Sequence, residues 1–180
     1  MRLSEHWKDY ELIDTSDGER LERWGDIILI RPDPQIIWST GRKNPLWRNA
    51  HARYYRSNKG GGHWETYRKV PDRWTIRYNQ LVFNIKPMGF KHTGIFPEQA
   101  VNWEKTAEII KKANRPVKVL NMFAYTGGAT ISALSAGASV AHVDASKGMV
   151  LWAKENAASS DVADRSVRWL VDDCKKLYRV

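Results

Sequence analysis

The 180-residue chain has a single cysteine, Cys174, which excludes an internal disulfide and a cysteine-rich zinc site and makes a reducing compartment the default. It also lacks long apolar runs. The opening, MRLSEHWKDYELID, mixes charge with aromatics and has no apolar core of roughly 7–15 residues, so it does not read as a secretory signal. No later stretch approaches about 18 apolar residues, so no membrane span and a cytoplasmic location are expected. Internal repeats and low-complexity tracts are missing too. What is present is 42% hydrophobic and 27% charged sequence, enough to bury a core in one large domain or two small ones.

Acidic residues are scarce in one block. The net charge is +9, and Arg42 to Tyr78 carries +8 of it, with ten basic residues against Glu65 and Asp72. Within it, Arg42, Lys43, Arg48, Arg53, Arg56 and Lys59 are the candidate RNA ligands. Trp47, Tyr54, Tyr55, Trp64, Trp74 and Tyr78 are interleaved with the cations, a composition suited to a polyanion whose unpaired bases stack. The alternative is a solvated basic face with the aromatics packed inward.

The first two-thirds of the chain read mostly as strands. Ile27–Ile30 is a short apolar run stopped by a proline pair. The alternation Trp74, Ile76, Tyr78 followed by Leu81, Phe83, Ile85 predicts a hairpin turning at Asn79-Gln80. Helical spacing appears at 98–113 and ends at Asn114-Arg115-Pro116. From Val117 onward short apolar runs alternate with helical stretches, the βαβ pattern. The expected elements are a strand over 117–123, a helix from Gly127-Gly128 to Ala136 closed by Gly137, and a strand over 139–143 ending at Asp144. A helix capped by Ser146 and a strand over 167–171 ending at Asp172-Asp173 complete the series.

In an open parallel sheet, ligands lie beyond the carboxyl ends of the strands, and each of these three ends carries suitable residues. Ala124-Tyr125-Thr126-Gly127-Gly128 lets a ligand approach backbone N–H groups where a helix begins. Asp144 lies 17 residues beyond Gly127, about the spacing of a ribose-binding acid. Asp173 can accept from an exocyclic amine. Together they describe a pocket for an adenosine ligand. Taken singly they also read as turn, strand end and helix cap. The absence of G-x-G-x-x-G disfavours a nicotinamide or flavin dinucleotide.

At these residues the stretch VLNMFAYTGGATISALSAGASVAHVDAS resembles the cofactor-binding core of class I S-adenosylmethionine-dependent methyltransferases, in particular the ribosomal-RNA cytosine-C5 methyltransferase-like group. Asn121, Phe123, Tyr125, Thr126, Gly127, Gly128 and Asp144 match its motif. The segment Lys91 to Gln99 is similar to one that precedes that domain and lines the cofactor. The resemblance implies S-adenosylmethionine as cofactor, held by Thr93, Gln99, Asn121, Phe123, Ala124, Tyr125, Thr126, Gly127, Gly128, Asp144, Ala145, Ser146 and Asp173. It implies an α/β fold: an incomplete Rossmann-like sheet at 91–180 behind a β-rich accessory region at 1–90.

The family's sheet has the order 3-2-1-4-5-7-6, with its substrate motif after the fourth strand. By that resemblance the catalytic residues lie beyond Val180, this portion is inactive alone, and the edge of the first strand is open to self-association. The expected function is RNA methylation. A non-enzymatic RNA-binding module and a nicotinamide-dependent oxidoreductase are the alternatives.

Overall fold

The structure, a computed structural model, describes residues 3–58 and 60–177. It contains a five-stranded sheet, a two-stranded sheet and a three-stranded sheet. Two compact units divide the chain: His6–Tyr78 with Ile85–Gly94, and Met1–Glu5, Asn79–Asn84 and Ile95–Val180.

The first unit, the β-region, is built on β1 (Tyr10–Ser16), β2 (Glu19–Trp24), β3 (Ile27–Pro32), β4 (Ala52–Arg56) and β5 (Gly62–Thr66), paired in that order. Neighbours are antiparallel except β3 and β4. Asp17 and Gly18, both left-handed at φ 52° and 75°, turn β1 into β2 with the twist a tight hairpin needs. The parallel β3–β4 step requires a longer crossover. It contains a short 3-10 helix, Pro45–Arg48, whose Leu46 N–H is capped by the Asn44 side chain. That turn lays Trp47 on Leu21, Ile28, Ile30 and Ala50, with the indole N–H donating to Asp14 at 2.7 Å.

The opposite face of this sheet buries charge. Glu22 is fully buried, and the Arg31 guanidinium donates to both of its oxygens at 2.6 and 2.7 Å. The Tyr10 hydroxyl donates to the same carboxylate at 2.9 Å, and Arg31 lies over the Trp24 ring. Burial by itself would lower the Arg31 pKa; the Glu22 carboxylate outweighs it, so the guanidinium is held charged. In sequence, Glu22 sits in the charged run ERLERW and carries no sign of burial.

The last hairpin strands, β6 (Trp74–Tyr78) and β7 (Leu81–Ile85), form as expected, with Asn79 left-handed at φ 51°. The second unit, the parallel region, continues through α1 (Ala100–Lys112), β8 (Lys118–Met122), α2 (Gly128–Ser135), β9 (Ser139–Asp144), α3 (Lys147–Ser159), β10 (Val167–Val171) and α4 (Cys174–Leu177). Each predicted βαβ element is present within a residue or two. The strands are parallel in the order β10-β9-β8, which is the expected 3-2-1 arrangement, so the fold class is α/β with a β-rich region ahead of it. Ser146 caps α3 through the Met149 N–H, and Gly137, at φ 95°, closes α2. β8 is an outer strand of this sheet, with Leu120 59% exposed. No helix among the described residues is long and apolar enough to cross a membrane.

Candidate cofactor site

The loop after β8 changes backbone hand at every second residue. Phe123, Tyr125 and Gly127 have φ of 54°, 52° and 87°, a conformation that costs a non-glycine residue about 1–3 kcal/mol and persists where the surroundings enforce it. Here they do. The Ala124 N–H donates to Val143 O at 3.0 Å, and the Tyr125 N–H donates to Asp144 Oδ2 at 2.8 Å. Asn156, fully buried on α3, donates through its amide to Thr126 O at 3.0 Å. The same side chain accepts from the backbone and side-chain N–H groups of Asn84 at 2.8 and 3.0 Å.

Beyond this loop lies a pocket of about 230 Å³, contained in the parallel region. Its walls include Phe96, Gln99, Trp103, Asn121, Tyr125 and Gly128. Phe96 and Tyr125 meet at 5.3 Å between ring centres. The two glycines are required by space: a Cβ on Gly128 would sit 2.6 Å from the Trp103 ring, and one on Gly127 2.9 Å from Ala153 Cβ. Gly127 provides no side-chain cap for α2, so the helix opens with N–H groups, a favourable end for an anion.

Of the thirteen sequence-predicted cofactor residues, Gln99, Asn121, Phe123, Ala124, Tyr125, Thr126 and Gly128 line the pocket. Gly127 packs behind it. Asp144 is at the loop's base, with its second oxygen accepting the Ser146 N–H at 2.8 Å. Ala145 is exposed and Ser146 is occupied as a cap. Asp173 is exposed and accepts the Lys175 N–H at 2.9 Å, the capping role weighed as its alternative. Thr93 belongs to the β-region, where it is fully buried.

Sequence reasoning missed Trp103 as a wall, although the Gly128 requirement is its counterpart. It also missed Asn156 and His142. Asn121 donates to Thr130 Oγ1 at 2.9 Å, and that oxygen lies 2.9 Å from His142 Nδ1. His142 is fully buried on β9 beside the Trp169 ring, and burial pushes its pKa down to about 4. No periodicity marks a buried histidine in SVAHVD.

The basic block resolves into distinct environments. Arg42 and Arg53 converge on Glu19 at 2.7 and 2.8 Å, and their guanidiniums lie over Trp47 and Tyr55. Lys43, Arg48 and Arg56 are exposed, and Lys59 lies outside the described residues. Trp47, Tyr54 and Tyr78 are core, so the inward-packing alternative holds for those three.

No family model matches the chain. It superimposes on the crystal structure of an S-adenosylmethionine-dependent methyltransferase from Agrobacterium tumefaciens with a TM-score of 0.90 at 37% identity, covering 95% of this chain and 55% of that one. The class of protein that sequence and fold resemble together is therefore the class I S-adenosylmethionine-dependent methyltransferase.

Within it, the chain is similar to ribosomal RNA large subunit methyltransferase K/L. The protein from Colwellia psychrerythraea is 26% identical over 152 residues, 84% of this chain and 19% of that protein. The one from Shewanella sp. strain ANA-3 is 33% identical over 98 residues, 54% and 13% respectively. The chain spans about half of the Agrobacterium chain and less than a fifth of these relatives.

Proposed function

We propose that this chain forms the cofactor-binding part of an S-adenosylmethionine-dependent methyltransferase acting on RNA in the cytoplasm. The observation that carries the reading is the loop Phe123–Gly128, held in alternating backbone hand against a pocket whose glycines leave no room for a side chain. A cradle of that kind fits a ligand that presses on backbone. The relatives named for ribosomal RNA supply the acceptor class.

In this reading residues 91–180 carry the cofactor and residues 1–90 are accessory. Each Asp144 oxygen accepts one backbone N–H and retains a lone pair for a ribose hydroxyl. The open N-terminus of α2, with Thr126 to Gly128, takes the carboxylate of the methionine end. Phe96 and Tyr125 wall the pocket, and Asp173 faces the adenine amine with the oxygen not used in capping. The bound cofactor supplies a methyl group on a sulfonium, which leaves the protein the work of positioning. The Asn121–Thr130 bond fixes the amide at the pocket wall, and Asn156 fixes the Thr126 carbonyl. β8, an outer strand with Leu120 exposed, is the surface proposed for self-association.

Calorimetric titration with S-adenosylhomocysteine tests the reading, with NADH as the comparison ligand. Expected is binding of the homocysteine compound, no heat with NADH, and a loss of roughly 100-fold or more in Asp144→Ala, which removes both backbone ties and the ribose acceptor. A folded chain that binds NADH, or that binds S-adenosylhomocysteine equally well without the Asp144 carboxylate, would overturn it.

A further inference from the structure

The β4–β5 ribbon sorts its rings between two faces. On one, Tyr54 is buried and donates to Gly89 O, while Trp64 donates to Met88 O at 2.8 Å. On the other, Arg53 and Tyr55 of β4 stand opposite Glu65 and His63 of β5. Tyr67 extends that row by one residue, its backbone N–H donating to His51 O at 2.8 Å. These outward rings are arranged. The Tyr55 and His63 rings stack at 5.7 Å and 22°, with the Arg53 guanidinium 4.9 Å from the Tyr55 ring centre. The Tyr55 and Tyr67 hydroxyls meet at 2.9 Å, and Tyr67 also donates to Glu65 at 3.2 Å.

Two further features bear on what this face takes. Arg53 is held from below by Glu19 through two hydrogen bonds of 2.8 and 2.9 Å, so the stack is fixed before any ligand arrives and little side-chain entropy is lost on binding. His63 is exposed and Tyr67 is 48% exposed, so ring surface is available at both ends of the row. The exposed charge around the row is mostly positive, with Arg48, Arg68 and Lys69, while Arg56 alternates to the Tyr54 face of β4, near Lys91 and His92. Arg68 donates to Asn49 at 2.7 Å, which brings it to the corner that carries Arg48. Glu65 is the acid of the face. Burial and the neighbouring Tyr55 and Glu65 push the Tyr67 pKa up, so the phenol stays neutral.

We propose that this face is a stacking platform for the unpaired bases of single-stranded RNA, with His63 and Tyr67 beneath bases and Arg68 on the phosphates. The proposal rests on RNA being the partner of the complete protein and adds where and in what form that RNA is held. Fixed rings flanked by cations match a single strand, whose bases expose their π-faces; in a duplex those faces are covered. The platform uses Tyr67, which no charge count singles out, and it leaves Arg42 and Arg53 as supports for the rings, with no phosphate contact.

The test is fluorescence anisotropy of the full chain with a labelled oligouridylate of about ten nucleotides and with an RNA duplex of equal length, across a salt series. Expected is binding of the single strand at least tenfold tighter than the duplex. His63→Ala and Tyr67→Ala should each weaken it roughly tenfold at an unchanged salt slope, with Tyr67→Phe close to the parent. Arg68→Gln should reduce the slope by about 0.7.

Equal affinity for duplex, no binding of the single strand, or alanine variants that bind like the parent would overturn the platform. These exposed positions avoid the folding risk of changing Tyr55, and circular dichroism confirms that each variant is folded. S-adenosylhomocysteine titration of the same samples separates the two readings: intact cofactor binding with failed RNA binding rejects the platform alone, and the reverse rejects the cofactor reading alone.

Discussion

The two units solve the same burial problem with different chemistry. The β-region closes its sheet over an ion pair, Glu22 with Arg31, supported by Tyr10 and Trp24. The parallel region closes over aliphatic residues such as Ile131, Leu134, Val140 and Val143 and confines its buried polar groups to amides, hydroxyls and one neutral histidine beside the site. Charge in a core is weak evidence of stability, because desolvation offsets much of the attraction. The difference shows where each region is vulnerable: the first to losing one partner of a pair, the second to a change in shape or protonation at the loop.

The largest expected effect tests the first half of that contrast. Glu22→Gln leaves the Arg31 guanidinium buried without its counter-charge and should cost about 3–5 kcal/mol, read as a shift of the denaturation midpoint. Hydrogen exchange should place the loss in β1 to β5. A shift below about 1 kcal/mol would mean that the ion pair contributes little beyond its replacement.

Next in size is the effect of acid on the parallel region. His142 has a folded pKa of about 4 against an ordinary 6.5, so the folded state favours the neutral ring. Its contribution is complete above pH 6.5 and declines as pH falls toward 4, by about 3 kcal/mol in all, then stays flat. In urea titrations at several pH values, His142→Gln should remove that slope. The β-region shares part of this window, because burial also lowers the pKa of His51 and His92, and adds a response lower still. Asp33, whose burial opposes ionisation, is nevertheless held below the ordinary carboxylate range by Arg20, so its contribution persists above that range and is lost only as pH falls through the depressed value. Absence of the low-pH step in the parent chain would break the contrast, and its loss in Asp33→Asn would confirm the source.

The smallest effects compare two glycines. Gly128→Ala drives a Cβ to 2.6 Å from the Trp103 ring and should cost about 1–3 kcal/mol while narrowing the pocket. Gly18→Ala meets nothing within 4 Å but must keep a left-handed φ of 75°, worth about 1–2 kcal/mol. Thermal midpoints check both, and only the first should weaken S-adenosylhomocysteine binding.

The parallel region was the more legible of the two in sequence. Its strands are short apolar runs separated by helices with explicit ends: Ser146 at the start of one, Gly137 after another. Asn121, Phe123, Ala124, Tyr125, Thr126 and Gly128, singled out in the sequence, line one pocket. In the β-region, β1, β2, β4 and β5 were not placed individually, although Asp17-Gly18 between YELIDTS and ERLERW is a hairpin signal. Glu22 defeats the alternation rule because its burial depends on Arg31, nine residues away on the next strand. Asn156 and His142 were hidden for a related reason. Their partners, Thr126, Asn84 and Thr130, come from other elements, and a local pattern contains no trace of them.

Asn156 also restricts which residues its position can accept. Its carboxamide must receive two N–H groups on one side and give one on the other. An aspartate there would face the Thr126 carbonyl with a second acceptor, and a leucine of similar bulk would strand a donor and an acceptor on either side. Alanine scanning reports such a position as intolerant without saying why. The direction in which hydrogens are given and received is a form of spelling, legible at position 156 independently of size and hydropathy, and it binds the identity of one helical residue to the shape of a loop thirty positions earlier.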